Sequence, residues 1–182
     1  MSRFGIFMAD GCEEIEGLTV VDMLRRAGIE IEMISVSGQA MVNGSHGICF
    51  MVDKSKDEAD YASYDGIILP GGMPGTKYLA ADEKVKQVIR EFAQQGKLVC
   101  AICAAPSVLG GAGVLQGKHA TSYPGFAEKM PGCIYETEAV VKDGNIITSR
   151  GMGTAIPFAL EIIRTVQGDE AAQKLSAGIM FS

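Results

Sequence analysis

Lys-Leu-Val-Cys-Ala-Ile-Cys-Ala-Ala-Pro, residues 97–106, joins an apolar run to a series of small residues around Cys103. Its first part, Lys97–Ile102, is a short apolar run typical of a buried β-strand, and small residues typical of a helix follow. Ala101 and Ala105 lie two places on either side of Cys103, where the sharp turn of a nucleophile elbow requires small side chains. The stretch therefore predicts a strand, a tight turn that carries Cys103, and a helix.

Outward from this stretch, apolar β-rich runs alternate with segments of helical period. The predicted strands are Phe4–Ala9, Ile29–Ser35, Gly66–Leu69, Lys97–Ile102, His119–Tyr123 and Asn145–Ser149. Helical periodicity is found over residues 18–25, 85–92 and 156–166, and the last of these helices is predicted to stop at Gly168. Two short hairpins, Met41–Asp53 and Ala139–Asn145, interrupt the alternation. The pattern predicts a doubly wound α/β fold with a mainly parallel sheet covered on both faces.

Composition narrows the class of protein. A length of 182 residues, without linker or repeat, predicts a single domain over residues 1–182. The net charge of -6 argues against a nucleic-acid partner, and no segment approaches the roughly 20 apolar residues of a membrane span. Five cysteines at irregular spacing, without an export signal, predict reduced thiols and a cytoplasmic protein.

Cys103 is the first candidate site residue. At the start of a helix its thiolate would be stabilised by the partial positive charge of the helix terminus, and the N–H of Ala104 would point toward an oxyanion. The alternative is that Cys103 is a buried small hydrophobe, as most free cysteines are. For Cys100, which lies in mid-strand, that core interpretation is favoured.

Two further loops follow predicted strands. In Pro70–Gly75, paired glycines allow backbone amides to approach a ligand or an oxyanion, although an ordinary turn explains the same residues. In Asp10–Glu16, acidic residues suit the first turn of a helix. Glu16 lies near the apolar face of that helix, which leaves two alternatives. Its side chain either stays at the surface and caps the helix, or turns inward, where burial would raise the pKa of its carboxyl.

No metal or cofactor is predicted. The two histidines, His46 and His119, are not adjacent to a candidate nucleophile, and no cluster has structural-zinc spacing. The glycine strings at 110–113 and 151–153 lack the spacing or context of a dinucleotide-binding loop.

Five motifs together resemble the ThiJ/PfpI superfamily, in the branch of the parkinsonism-associated protein deglycase and its bacterial relatives. They are Gly-Cys-Glu-Glu-Ile-Glu (11–16), Val-Asp-Met-Leu-Arg-Arg-Ala-Gly (21–28), Leu-Pro-Gly-Gly (69–72), Ala-Ile-Cys-Ala-Ala-Pro (101–106) and Thr-Ser-Arg-Gly-Met-Gly-Thr (148–154). The resemblance spans nearly the whole chain. It implies a flavodoxin-like three-layer sandwich, a homodimer and cofactor-free chemistry.

The resemblance also implies roles for individual residues. Cys103 would be an easily oxidised nucleophile that shares a hydrogen bond with a protonated Glu16, and Gly72 and Ala104 would be oxyanion donors. Gly71, Tyr123, Arg26 and the partner subunit's hairpin bearing His46 would line the substrate site. This chain departs from its relatives in three places. Ala104 stands where the peptidase branch has a histidine, and Tyr123 stands where the human-like branch has one. His46 stands where an arginine is usual. The first departure argues against peptidase activity.

The implied function is a glyoxalase or deglycase that acts on a small dicarbonyl or an early glycation adduct and protects against carbonyl and oxidative stress. Two alternatives remain open. One is a redox-responsive protein whose Cys103 is oxidised to sulfinate without obligatory turnover. The other is a chaperone or partner-binding protein, which would depend on exposed apolar surface.

Overall fold

A seven-stranded sheet forms the centre of the computed structural model, which describes residues 2–181. The strands are β1 (Arg3–Met8), β2 (Glu30–Ser35), β3 (Met41–Asn43), β4 (Cys49–Met51), β5 (Lys54–Ser55), β6 (Gly66–Leu69), β7 (Leu98–Ile102), β8 (His119–Ala120), β9 (Ile134–Tyr135), β10 (Val140–Asp143) and β11 (Ile146–Ser149). The central sheet has the order β10-β11-β7-β6-β1-β2-β5, and every neighbouring pair is parallel except β10 with β11.

Helices cover both faces of this sheet. They are α1 (Glu14–Arg26), α2 (Gly75–Ala81), α3 (Glu83–Gln94), α4 (Pro106–Gly111), α5 (Ala155–Gln167) and α6 (Asp169–Gly178). Among residues 2–181, no helix combines the length and the apolar character needed to cross a membrane.

Alternation along the buried strands divides the apolar residues into two cores. In β1, Phe4, Ile6 and Met8 point into a core shared with α1, α5 and α6, whereas Phe7 points into a core shared with α3 and α4. Successive side chains of a strand face opposite sides, so a strand buried on both sides needs a continuous apolar run. This arrangement confirms the predicted three-layer, flavodoxin-like α/β sandwich.

The predicted strand His119–Tyr123 is wrong in extent and does not belong to the central sheet. Only His119–Ala120 is extended, and it pairs with β9 outside the central sheet. After Ala120 the backbone bonds elsewhere, because the N–H of Thr121 donates to Oγ1 of Thr148 at 2.9 Å. The N–H of Tyr123 donates to the carbonyl of Cys103 at 2.7 Å. The segment is thus bent toward the Cys103 turn instead of entering the sheet.

The two predicted hairpins are present, and the helix predicted to end at Gly168 does end there. Strands β3 and β4 form the first hairpin, and Gly168 ends α5 with a φ of 91°. The second hairpin turns after Asp143 but extends to Ser149, because β11 pairs with β10 on one side and with β7 on the other. Two strands, β5 and β9, and two helices, α2 and α6, were not predicted; of α6, only Ala172 is fully buried.

The strand order reverses beside β1, which places one edge of the sheet at a switch point. The chain passes from β1 to β2 on one side, whereas β6 and then β7 lie on the other. Ligand sites of open α/β sheets occupy the crevice beyond the carboxyl ends of strands at such a point. The loops that follow β1, β6 and β7 therefore meet where a site is expected.

Candidate active site

Cys103 lies on a strained turn directly after β7. Its φ of 65° is in the left-handed region, which costs a non-glycine residue about 1–2 kcal/mol. Two backbone hydrogen bonds hold the turn: the N–H of Cys103 donates to the carbonyl of Ser149 at 3.0 Å, and its carbonyl accepts from Tyr123. The thiol is partly exposed. The predicted elbow turn is therefore present.

Helix α4 does not place its N-terminus at Cys103. It begins at Pro106, with Ala105 as its N-cap, and is only six residues long. Cys103 lies two residues before this N-cap, so stabilisation of its thiolate by the helix stays a prediction. The donors that do reach the sulfur are the backbone N–H groups of Ala104 and Gly72.

Glu16 turns inward from the first turn of α1. Its side chain is 1% exposed, and one carboxyl oxygen, Oε2, accepts a hydrogen bond from the N–H of Gly71 at 2.9 Å. The same carboxyl is hydrogen-bonded to the thiol of Cys103. Capping of the helix falls to Glu13, whose Oε2 accepts from the N–H of Glu16 at 2.8 Å. Of the two interpretations of Glu16, the inward one is correct.

Gly71 leaves no room for a side chain between the thiol and the carboxyl. A Cβ built on it would lie 2.6 Å from Cβ of Cys103 and 2.8 Å from Oε2 of Glu16. Its carbonyl accepts from the N–H of Glu13 at 2.9 Å, which ties the loop after β6 to the start of α1. Gly72, with a φ of 91°, continues the turn and presents its N–H to the sulfur.

Burial governs the ionisation of the pair. It raises the pKa of Glu16 to about 7, against the opposing hydrogen bonds from Gly71 and Cys103. Burial, together with the negative charge of an ionised Glu16, raises the pKa of the Cys103 thiol, whereas the N–H groups of Ala104 and Gly72 lower it. Since each negative charge disfavours the other, the two groups hold one negative charge between them. A thiolate at Cys103 thus requires a proton on Glu16.

Tyr123 and Gly151 form the mouth of the site. A Cβ on Gly151 would lie 3.5 Å from the Tyr123 ring and 3.9 Å from Oε1 of Glu16. The Tyr123 side chain is 52% exposed, so its ring borders solvent. Tyr123 was predicted here, whereas Gly151 was named only within the 148–154 motif and in a glycine string rejected as a dinucleotide-binding loop. Its place after β11, the neighbour of β7 at the same sheet edge, is the signal that would have found it.

The single chain does not bring Arg26 or His46 to Cys103. Arg26 ends α1, roughly 15 Å along the helix axis from Glu16, and pairs with Asp22 at 2.5 Å. His46 lies in the loop between β3 and β4, and its Nδ1 is 3.1 Å from a carboxyl oxygen of Glu14. Arg26 therefore does not reach the substrate site within one chain, and the role of His46, which was expected from the partner subunit, stays a prediction.

Comparison with known proteins agrees with this geometry. Residues 2–165 match the model of the DJ-1/PfpI family. The chain is 36% identical to the Parkinson disease protein 7 homolog of Danio rerio over 180 residues, which covers 97% of this chain and 95% of that protein. Among solved structures it resembles Drosophila melanogaster DJ-1beta, with a TM-score of 0.96, 37% identity and full coverage of both chains. Oxidized Toxoplasma gondii DJ-1 gives a TM-score of 0.96 with 35% identity, again with full coverage of both chains. The chain therefore belongs to the DJ-1/PfpI family, which includes enzymes with a cysteine nucleophile.

Proposed function

We propose that this protein is a cofactor-free, cysteine-dependent enzyme of the glyoxalase or deglycase type that acts on reactive dicarbonyls or early glycation adducts. The observation that carries the proposal is the contact between the Cys103 thiol and the buried Glu16 carboxyl, with two backbone donors at the sulfur. A nucleophile, a proton-transfer group and oxyanion donors at one point are the requirements of carbonyl addition followed by proton transfer.

For methylglyoxal the first step is addition to the aldehyde carbon. Proton transfer from the thiol to Glu16 generates the thiolate, whose sulfur bonds to the aldehyde carbon while the carbonyl π electrons move to oxygen. The N–H groups of Gly72 and Ala104, already directed at the sulfur, stabilise the developing oxyanion. Glu16 returns its proton to this oxygen, which gives a hemithioacetal and leaves a carboxylate.

The second stage moves hydrogen between neighbouring carbons. The Glu16 carboxylate takes the proton from the former aldehyde carbon and delivers it to the ketone oxygen, which gives an enediol. Glu16 then takes the proton from the hydroxyl on the sulfur-bearing carbon and delivers it to the former ketone carbon. The product is a thioester of lactate. Water attacks the thioester, the carbon–sulfur bond breaks, and the thiol is restored. The sum is methylglyoxal plus water to lactate, so no external oxidant or reductant is needed.

The test is a product assay on methylglyoxal and glyoxal with wild type, Cys103→Ala and Cys49→Ala. Cys49 is an exposed thiol on the β3–β4 hairpin, so its variant controls for unspecific addition of aldehydes to thiols. We expect lactate and glycolate from wild type and Cys49→Ala, and none above the uncatalysed rate from Cys103→Ala. Full activity of Cys103→Ala would refute the proposal.

A second candidate function, redox response, is favoured by the partial exposure of Cys103 beside a carboxyl that can hold a proton. One hydrogen peroxide converts the thiolate to a sulfenic acid and releases hydroxide, and a second converts the sulfenic acid to a sulfinic acid and water. The sulfinic acid then loses its proton to hydroxide and becomes the sulfinate. A protonated Glu16 would stabilise that sulfinate by a hydrogen bond. Mass spectrometry after mild peroxide distinguishes the two functions: two added oxygens on Cys103, without any dicarbonyl turnover, would favour this one.

We further propose that the protein acts as a homodimer that covers apolar residues on α1 and the β3–β4 hairpin. Ile15, Ile48 and Met51 are exposed, and the N–H of Ile48 lies 3.4 Å from Oε1 of Glu14, which holds the hairpin beside α1. Sedimentation should show a dimer for wild type and a monomer for the double variant Ile15→Lys, Met51→Lys. The control is Tyr78→Lys, a matched exposed apolar residue on α2.

We also propose a cytoplasmic location, in which the cysteines would stay reduced. All five cysteines are free, including the exposed Cys49. Quantification of thiols in freshly lysed cells should therefore find every cysteine reduced, apart from Cys103 under peroxide stress. A disulfide at Cys49 under unstressed conditions would contradict this location.

A further inference from the structure

One hydroxyl group, that of Thr154, holds together the loop at the mouth of the site. Its Oγ1 lies 2.9 Å from the carbonyl oxygen of Gly151 and 3.1 Å from the backbone nitrogen of the same residue. It also lies 2.7 Å from Oγ of Ser149, at the end of β11. The side chain of Thr154 thus joins the end of this strand to the glycine that borders Glu16.

Proton counting shows what this hydroxyl contributes. The hydroxyls of Ser149 and Thr154 have one proton each to donate. Whichever way these protons point, Oγ1 of Thr154 is the acceptor for the N–H of Gly151. The carbonyl of Gly151 accepts in addition from the backbone N–H of Thr154 at 2.8 Å, so it does not depend on the hydroxyl. Removal of the hydroxyl would therefore cost the loop, above all, the contact at the Gly151 N–H.

Gly151 needs such a contact because it lies between two rigid elements and belongs to neither. On one side, the backbone of Ser149 is paired with β10 and with β7. On the other, Met152–Thr154 forms a short 3₁₀ turn, and α5 begins at the next residue, Ala155, which is buried. The hydroxyl of Thr154 therefore transmits the fixed position of α5 to a residue that no strand or helix holds.

The position of Gly151 matters because this residue borders the proton-transfer group. A Cβ built on it would lie 3.9 Å from Oε1 of Glu16 and 3.5 Å from the Tyr123 ring. Oε2 of the same carboxyl is bonded to the N–H of Gly71, so Oε1 is the oxygen on the side of the mouth. Substrate carbons must lie against this oxygen during proton transfer, and a misplacement of about 1 Å can cost about 10²-fold in rate.

We propose that Thr154 is a positioning residue: its hydroxyl holds Gly151 in place, and this glycine confines the substrate against Oε1 of Glu16. Thr154 acts through Gly151 and touches neither the thiol nor the reacting carbons. The kinetic consequence rests on the proposed dicarbonyl chemistry, whereas the hold on the loop does not.

The nucleophile itself should not depend on Thr154. The donors that reach the sulfur of Cys103 are the N–H groups of Ala104 and Gly72, which lie on other loops. The N–H of Cys103 donates to the backbone carbonyl of Ser149, and that backbone is held by its strand neighbours. Loss of the Thr154 hydroxyl should therefore slow turnover and leave the reactivity of the thiol unchanged.

The kinetic test compares Thr154→Val, which keeps the shape of the side chain, with Thr154→Ser, which keeps the hydroxyl. With methylglyoxal we expect kcat to fall about 10–100-fold in Thr154→Val and to be restored close to the wild-type value in Thr154→Ser. Alkylation of Cys103 by iodoacetamide, followed by mass spectrometry, should proceed at the wild-type rate in both variants. The matched control is Thr165→Val, because Thr165 lies on α5 and its hydroxyl donates to the carbonyl of Glu161 at 2.8 Å. Its kcat should equal that of wild type.

Amide hydrogen exchange, followed by NMR, measures the hold on the loop without any turnover. The Gly151 N–H should exchange about tenfold faster in Thr154→Val than in wild type, and Thr154→Ser should restore its protection. Thr154→Ala is a second deletion of the hydroxyl with the same expected changes, in case valine disturbs folding.

The two measurements separate this proposal from the proposed function. If wild type converts no dicarbonyl, the proposed function fails, and the exchange rate of Gly151 still decides whether Thr154 holds the loop. Unchanged exchange at Gly151 in both hydroxyl deletions would overturn the proposal. So would a wild-type kcat in Thr154→Val, or an equal loss of kcat in Thr154→Val and Thr154→Ser.

Discussion

The carboxyl of Glu16 and the backbone of Gly71 are joined by a buried hydrogen bond of 2.9 Å that fixes Glu16 against the Cys103 thiol. Glu16 belongs to the helix after β1, Gly71 to the loop after β6, and Cys103 to the turn after β7. Three segments that are far apart in sequence thus meet at the switch point of the sheet. The chemistry of the site depends on how closely these segments approach one another.

Gly71→Ala should therefore damage both stability and activity. The added methyl would be 2.6 Å from Cβ of Cys103 and 2.8 Å from Oε2 of Glu16, so these groups must separate. Overpacking of this kind costs about 1–3 kcal/mol of unfolding free energy. The control is Gly153→Ala, where no atom lies within 4 Å of the new methyl. Urea denaturation and the methylglyoxal assay should show a loss for Gly71→Ala alone; equal behaviour of both variants would contradict this prediction.

Cys103→Gly should be more stable than Cys103→Ala. Both variants remove the thiol, but only glycine adopts a φ of 65° without steric cost. The difference in unfolding free energy should approach about 1–2 kcal/mol, less the greater backbone entropy that glycine loses on folding. Chemical denaturation of the two variants measures it. A more stable alanine variant would show that the turn is not strained at this residue.

Tyr123→Ala should raise KM more than it lowers kcat. The ring lies at the mouth of the site near Gly151, where it would contact bound substrate without taking part in proton transfer. Loss of binding that is uniform between ground and transition state appears in KM. Tyr123→Phe keeps the ring and should behave like wild type. A selective fall in kcat for Tyr123→Phe would instead assign a chemical role to the hydroxyl.

Asp82→Ala should destabilise the protein in a pH-dependent manner. Burial acts to raise the pKa of Asp82, but the hydrogen bonds from Lys56 and from the N–H of Val85 outweigh it, so the pKa is lowered. Asp82 also caps α3, and loss of such a cap costs about 0.5–2 kcal/mol.

The sign of the pH effect follows from that lowered pKa. Asp82 contributes stability above its unfolded-state pKa of about 3.9, and this contribution is lost as the pH falls through the folded-state pKa. Urea midpoints of wild type and Asp82→Ala should differ at pH 7 and converge in strong acid. Asp57→Ala, an exposed aspartate in the same region, is the control and should match wild type. If the difference between the two urea midpoints persisted unchanged in acid, the charge of Asp82 would be excluded as the cause of that difference.

The fold was predictable because its signals are local and repeated. Apolar runs such as Gly66–Leu69 are buried from end to end, and amphipathic segments such as residues 85–92 bury one helical face. The strand prediction for His119–Tyr123 was wrong because the backbone of this segment is hydrogen-bonded to the Cys103 turn. No local sequence pattern reveals such a tertiary contact.

The candidate site was predictable to the extent that it lies in single motifs. Cys103 and Glu16 follow strands whose carboxyl ends converge, so their neighbourhood could be anticipated. The surroundings of His46 could not be anticipated, because the hairpin that brings His46 next to Glu14 depends on a contact between residues 32 positions apart. Nor could the ionisation of Cys103 be anticipated, since it depends on depth of burial and on the charge of its neighbour.

The most direct test of the central claim is the rate at which Glu16→Gln converts methylglyoxal to lactate. Glutamine preserves the size of the side chain but cannot carry the proton from the thiol to the substrate carbons. The account predicts a fall in kcat of about 10²–10⁴, the usual contribution of a positioned acid–base group, with the fold and the Cys103 thiol intact. A Glu16→Gln protein that turns over methylglyoxal at the wild-type rate would contradict the account.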